Sequence, residues 1–360
     1  MTPNPNTLQR TLGRGQSIWI DYIERSFIES GELAAWIEKG VRGLTSNPAI
    51  FQKALSCSSV YDEDIGKLSP AGHSALQIYE ALAIADIRRA ATQFVPIYDA
   101  SGGEDGYVSL EVNPALADDT EATIAEARRL FAAVGSANLM IKIPATAAGI
   151  PAITEVIAGG INVNVTLLFD QDQYGRAVEA YLHGIEQLLQ RGGDPRRVAS
   201  VASFFVSRMD TMVDKQLDEL GAAEIKGRAA VAYAAATYDR FRKIFASSRW
   251  ERLAKSGARM QRLLWASTGT KNPAYSDTLY VDGLIGADTV NTVPPATLHA
   301  FLDHGRGERT LPAVDDGLLG ELNGIGIDLK AVTDQLLTDG VAAFADSFRM
   351  LLGSIETKMR

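Results

Sequence analysis

The 360-residue chain contains one cysteine, Cys57, and four histidines. A single cysteine excludes an intrachain disulfide and fits a reducing compartment. His73, His183, His299 and His304 stand in no HExxH or other metal-ligand spacing, and Cys57 has no CxxC partner, so zinc and thiol mechanisms are disfavoured. No GxGxxG follows the first apolar run and no GxxxxGK[ST] loop occurs, which weakens dinucleotide- and nucleotide-binding readings. The chain also lacks any run of about 18 apolar residues, and its start, MTPNPNTLQRTLGRGQS, has no apolar core. Neither a membrane span nor a secretory signal is expected, and the expected location is cytoplasmic. Positive charge is the scarcer sign, with 35 Lys plus Arg against 44 Asp plus Glu and a formal charge of −9. Such a surface disfavours nucleic acid and anionic membrane, so an anionic substrate needs a local cluster of basic residues.

What the sequence does contain is an alternation of short β-rich runs with longer helical patterns. The expected strands are 17–23, 40–46, 106–112, 138–144, 161–169, 198–207, 262–268 and 288–294. Helical patterns fall between them, among them 120–134, 173–190 and 224–246. Eight strands alternating with helices predict a parallel α/β fold that closes as a (β/α)8 barrel, with an open doubly wound sheet as the second possibility. No linker divides the chain, so residues 1–360 are expected to form one domain. Two departures from the simplest barrel are expected: a helical insertion at 51–105 after strand two, and a helical extension at 313–360 with a break at Gly340.

Alternate residues of a strand share a face. Asn162, Asn164 and Thr166 share one parity, Ser109 and Glu111 another strand's, and Asp21 falls with Trp19 and Ile23. Buried parallel strands are normally apolar on both faces. Polar faces on several strands therefore predict convergence inside the barrel near its C-terminal mouth, where such folds build their sites. For Asn162 alone, a satisfied structural amide is the simpler reading. The second strand ends in Thr45, Ser46, Asn47 and Pro48, which reads either as an N-cap and first-turn proline for the next helix or as a polar edge facing a substrate.

Lys142 is the residue that most needs explaining. It lies in LMIKIP between Ile141 and Ile143, with no polar route to solvent in its neighbours. Desolvation favours the neutral amine, which can attack a ketone or aldehyde to form a Schiff base, an electron sink for breaking a carbon–carbon bond. Asp21, Glu111 and Thr166 would supply the accompanying proton transfers.

The stretches GLTSNPAIF, VSLEVNP, LMIKIPAT, GINVNVTLLF, VASFFVSRMD and WASTGTKNPAYSDTLYVDGLIG, in this order over most of the chain, resemble the transaldolases. The resemblance implies a (β/α)8 barrel, a Schiff-base mechanism without cofactor, and transfer of a dihydroxyacetone unit from a ketose phosphate to an aldose phosphate in the pentose phosphate pathway. By the same resemblance, Lys142 forms the Schiff base and Asp21 is the acid/base for the donor hydroxyl. Glu111 and Thr166 hold the water that relays protons, while Asn47 and Asn164 bind sugar hydroxyls. Ser203 and Arg208 contact the donor and its phosphate, and Ser267 adds a phosphate ligand. Many members carry an arginine two residues after that serine, where this chain has Gly269, and Lys271 is the candidate for the missing charge. A class I sugar-phosphate aldolase without acceptor transfer uses the same lysine. A pyridoxal phosphate barrel, in which the lysine holds the cofactor, and a non-catalytic sugar-phosphate binder stand beside it.

Overall fold

The computed structural model describes residues 5–313 and 316–359. Eight parallel strands close into a barrel in chain order: β1 (Gln16–Asp21), β2 (Leu44–Thr45), β3 (Val108–Glu111), β4 (Leu139–Pro144), β5 (Val163–Leu168), β6 (Ser200–Phe205), β7 (Arg262–Ala266) and β8 (Thr289–Val293). Helices follow the strands as the alternation predicts, and Thr120–Val134 coincides with its expected bounds. The open sheet is thereby excluded.

Strand β2 is shorter than the expected 40–46, and its approach to β1 requires a glycine at 43. The Trp19 ring fills the barrel base so closely that a Cβ on Gly43 would lie 2.6 Å from it. Backbone hydrogen bonds from Arg42 N–H to Ile18 O and from Ile20 N–H to Gly43 O still hold this segment against β1. The base is sealed by Asp105, which accepts hydrogen bonds from Ser17 Oγ (2.8 Å), Arg262 Nη1 (3.1 Å) and Trp19 Nε1 (3.4 Å). Buried polar groups left unpaired cost roughly 1–3 kcal/mol each, so this network is what makes a polar floor tolerable.

The insertion after β2 consists of three helices, Pro48–Cys57, Asp62–Leu68 and Ala75–Ala100. The C-terminal extension, apart from residues 314, 315 and 360, which lie outside the described residues, ends in one unbroken helix, Leu329–Lys358. The expected break at Gly340 is absent. Its buried stripe runs Val332, Leu336, Gly340, Phe344, Phe348, Leu351 and Ile355, a helical spacing that faces the barrel mouth and the insertion. Phe348 packs edge-on against Tyr79 of the insertion, and Lys358 Nζ donates to Ser58 O and Asp62 Oδ1. Gly340 is small because the helix passes close over β5: a Cβ there would lie 3.1 Å from Leu167 and 3.4 Å from Phe169. One hydrophobic cluster runs through the barrel, the insertion and this helix.

Two glycines of the same helix give a paired test. Gly340→Val should destabilise the protein by about 1–3 kcal/mol through overpacking. Gly353, with nothing within 4 Å of its added Cβ, should tolerate alanine with a gain of about 0.5–1 kcal/mol. Urea unfolding of the two variants measures both; equal effects would contradict the close approach at Gly340.

Candidate active site

Strand register sets the centre of the site. Glu111 pairs with Lys142, and Lys142 with Asn164, so three neighbouring strands place these side chains in one row inside the barrel. Lys142 is 4% exposed. Its Nζ lies 3.5 Å from Glu111 Oε2, donates to Ser46 O at 3.3 Å, and sits 5.7 Å from the Phe344 ring centroid. The ammonium group is thus buried with one carboxylate, one carbonyl and one aromatic face.

The end of β2 resolves into separate tasks. Thr45 Oγ1 donates to Asp21 Oδ1 at 2.6 Å and lies 2.6 Å from Thr292 Oγ1. Ser46 donates from Oγ to Ser109 O at 2.7 Å, while its own carbonyl receives Lys142. Asn47 caps helix Pro48–Cys57, its Oδ1 accepting from Ile50 N–H at 3.0 Å, and this leaves the amide nitrogen as the group it offers the cavity. The capping and substrate-facing readings of this segment are compatible.

A cavity of ≈ 150 Å³ opens above Lys142 at the C-terminal mouth. Asp21, Asn47, Lys142, Ser203, Arg208, Ser267 and Lys271, all expected site residues, line it together. Three others do not. Asn164 is fully buried beneath, its amide donating to Ser109 Oγ at 3.0 Å and its Oδ1 accepting from Ser203 Oγ at 2.6 Å. Glu111 lies behind Lys142, and Thr166 is fully buried; neither Glu111 Oε2 nor Thr166 Oγ1 has a hydrogen-bond partner among the described residues. Asn162 is structural: its amide donates to Ala137 O and Leu139 O and its Oδ1 accepts from Ala199 N–H.

The rim is basic. Arg208, in the first turn of helix Ser207–Leu220, lies 5.5 Å over the Phe205 ring and has no ion-pair or hydrogen-bond partner among the described residues. Burial pulls its guanidinium below its ordinary value, and Asp339 opposes that shift. Ser267 adopts φ +56°, an uncommon left-handed conformation after β7, and its Oγ lies 3.0 Å from Ser207 Oγ. Lys271 is exposed, and its Nζ lies 3.9 Å from where a Cβ on Gly269 would be, so its ammonium occupies space beside the position that lacks a side chain.

Two contributors escape the sequence reading. Phe344, from the tail helix, walls the cavity; its place in the apolar stripe is visible in the sequence, but not what the stripe covers. Gln173 fastens the tops of two strands, donating from Nε2 to Ala145 O and Leu167 O and accepting from Phe169 N–H. Its polar side chain in an amphipathic helix carries no signal of that role.

Burial raises both acids. It lifts Asp21 above the usual carboxylate range against the opposing pull of Lys142, the Thr45 hydrogen bond and Lys271. It pushes Glu111 up to about 7, with Lys142 opposing. A carboxyl whose folded value exceeds its unfolded one binds more protons in the native state, so its contribution to stability is present below the unfolded value and lost as pH rises through the folded one. Wild-type protein should therefore lose stability between pH 4.5 and about 7 that the Glu111→Gln variant does not lose. Denaturant unfolding of both across this range checks it; parallel profiles would show that Glu111 titrates normally.

The sequence comparisons agree with this geometry. A profile of the Transaldolase/Fructose-6-phosphate aldolase family matches residues 18–355. The chain is 46% identical to a transaldolase of Trichodesmium erythraeum, with 96% of each chain covered. It is 47% identical to transaldolase 2 of Nostoc punctiforme, again with 96% of each covered. It is 45% identical to a transaldolase of Neisseria meningitidis serogroup A, covering 95% of this chain and 97% of the relative. The barrel, the buried lysine between acids and these matches across nearly the whole chain have one explanation: the protein belongs to the transaldolase/fructose-6-phosphate aldolase family.

Proposed function

We propose that this protein is a transaldolase, moving a dihydroxyacetone unit from a ketose phosphate such as sedoheptulose 7-phosphate to an aldose phosphate such as glyceraldehyde 3-phosphate. The observation that carries the proposal is Lys142, buried beside Glu111 at the base of a cavity whose rim holds Arg208 and Lys271. In this reading Lys142 Nζ attacks the C2 carbonyl of the ketose, and loss of water gives an iminium. Asp21 takes the proton from the C4 hydroxyl, the C3–C4 bond breaks, and the electron pair is held as an enamine on Lys142. The aldose leaves, an acceptor aldehyde enters, C3 attacks it, and Asp21 returns the proton.

Carboxyl groups raised by burial suit these transfers, because a general acid or base works best with a value near the working pH. Glu111 Oε2, ion-paired with Lys142 Nζ at 3.5 Å, and Thr166 Oγ1 lack hydrogen-bond partners among the described residues, which supports the assignment of a proton-relaying water to them. Asn164 acts by orienting Ser203, and Asn47 offers its amide to a sugar hydroxyl. For phosphate, Arg208 provides a planar fork at a helix N-terminus that has no side-chain cap, and Lys271 a point charge. Sugar phosphates do not cross bilayers unaided, and this supports a cytoplasmic location.

The test is a coupled assay of fructose 6-phosphate with erythrose 4-phosphate. Wild-type protein should transfer the three-carbon unit, and Asp21→Ala should lower kcat about 10²–10⁴-fold. Arg208→Ala should lower kcat/KM about ten- to hundredfold for phosphorylated substrates, mainly through KM, with non-phosphorylated analogues little affected. Lys271→Ala should show a smaller effect of the same kind. Absence of transfer by wild-type protein would overturn the proposal, and an unaltered Lys271→Ala would return that residue to an ordinary surface lysine.

A further inference from the structure

The tail helix Leu329–Lys358 places one aromatic ring, Phe344, over the reactive lysine. Phe344 is 5% exposed, faces Lys142 Nζ at 5.7 Å, and lines the substrate cavity. The same ring lines a second, narrow apolar crevice with Pro144, Leu167 and Val341, and that crevice reaches Glu111. Its position is fixed from several directions. One turn before it, Gly340 lets the helix settle on Leu167 and Phe169; one turn after it, Phe348 packs on Tyr79; and the helix end is tied through Lys358 to Ser58 and Asp62. A ring held this firmly beside an amine is more than filler.

We propose that Phe344 controls the fate of the lysine-bound three-carbon unit by keeping stray water, the carrier of a proton to C3, away from the enamine, so that an aldehyde acceptor captures C3 first. The inference rests on the transaldolase reading. After C3–C4 cleavage the enamine on Lys142 has two exits. In transfer, C3 forms a new bond to the aldehyde carbon, and the resulting iminium then adds water at C2 to release the longer ketose and the free amine. In release, C3 instead takes a proton, and the iminium adds water at C2, giving dihydroxyacetone and the free amine. Atoms balance in both, and neither needs an oxidant or reductant. Both exits add water at C2, so they part at C3: the second requires a proton delivered there before an acceptor arrives. Glu111, lifted by burial and 3.5 Å from Lys142 Nζ, is a proton source that needs only a mobile water to reach C3, and the ring lines both the crevice and the cavity through which such a water would come. An apolar wall there disfavours an ordered water, which needs polar partners.

The measurement is the ratio of two rates in wild type, Phe344→Ala and Phe344→Leu. One is dihydroxyacetone release from fructose 6-phosphate alone; the other is transfer from fructose 6-phosphate to erythrose 4-phosphate. Phe344→Ala should raise the ratio of release to transfer about tenfold or more, and Phe344→Leu should fall between it and wild type. A purely structural ring would lower both rates together and leave the ratio unchanged, which would overturn the proposal. If the alanine variant fails to fold, as its thermal unfolding would reveal, Phe344→Leu decides with the same expected direction. Wild-type protein that releases dihydroxyacetone but transfers none would instead overturn the transaldolase reading itself.

Discussion

The burial of one ammonium group organises this molecule. Lys142 sits in a strand whose other side chains are apolar, and removing a charged group from water is costly unless neighbours compensate. Compensation comes from three separate parts of the chain: Glu111 from the adjacent strand, the Ser46 carbonyl from the end of β2, and the Phe344 ring from the C-terminal helix. Each of these in turn constrains its own surroundings. Ser46 is held by Ser109, Glu111 is lifted by the same burial, and Phe344 requires the tail helix to lie within contact distance of β5. The insertion and the extension are thus parts of the site's support, since the tail helix that carries Phe344 rests on the insertion.

The barrel interior divides into two polar levels with opposite logic. At the base, Asp105 gathers Ser17, Trp19 and Arg262 into a network in which charges and donors meet partners. At the mouth, Arg208 and Lys271 lack such partners among the described residues, and Glu111 Oε2, although ion-paired with Lys142, and Thr166 Oγ1 have no hydrogen bond. Gln16 Oε1 and Gln261 Oε1, near the base, also lack partners, so what sets the mouth apart is its unpaired positive charge. This separation follows the general division of parallel barrels, stability at the N-terminal face and reactivity at the C-terminal one.

Much of this is legible in the sequence because parity and burial obey local rules. The alternation of strands and helices announces the barrel, and the polar parity of Asp21, Glu111 and Asn164 announces that their side chains turn inward. Lys142 stands out because no neighbour offers it water. The failures have physical causes as well. Asn162 and Asn164 share a parity and a residue type, yet their height in the barrel separates a strand-end clamp from a polar support beneath the cavity. Gly340 reads as a helix breaker on propensity, whereas its smallness serves a close helix–strand contact that only tertiary structure reveals. Asp105 lies in a glycine-rich turn and looks like turn chemistry, although it closes the barrel floor. Phe344 belongs to a regular apolar stripe, and a stripe does not say which surface it covers.

In the proposed mechanism Lys142, the buried lysine of the cavity, forms the covalent bond with the substrate, and the exposed Lys271 does not. Peptide mapping after borohydride reduction in the presence of fructose 6-phosphate tests this most directly. The reduced three-carbon unit should add its mass to the peptide containing Lys142, and Lys142→Ala should acquire none. Labelling of another lysine, or full labelling of the Lys142→Ala variant, would contradict it.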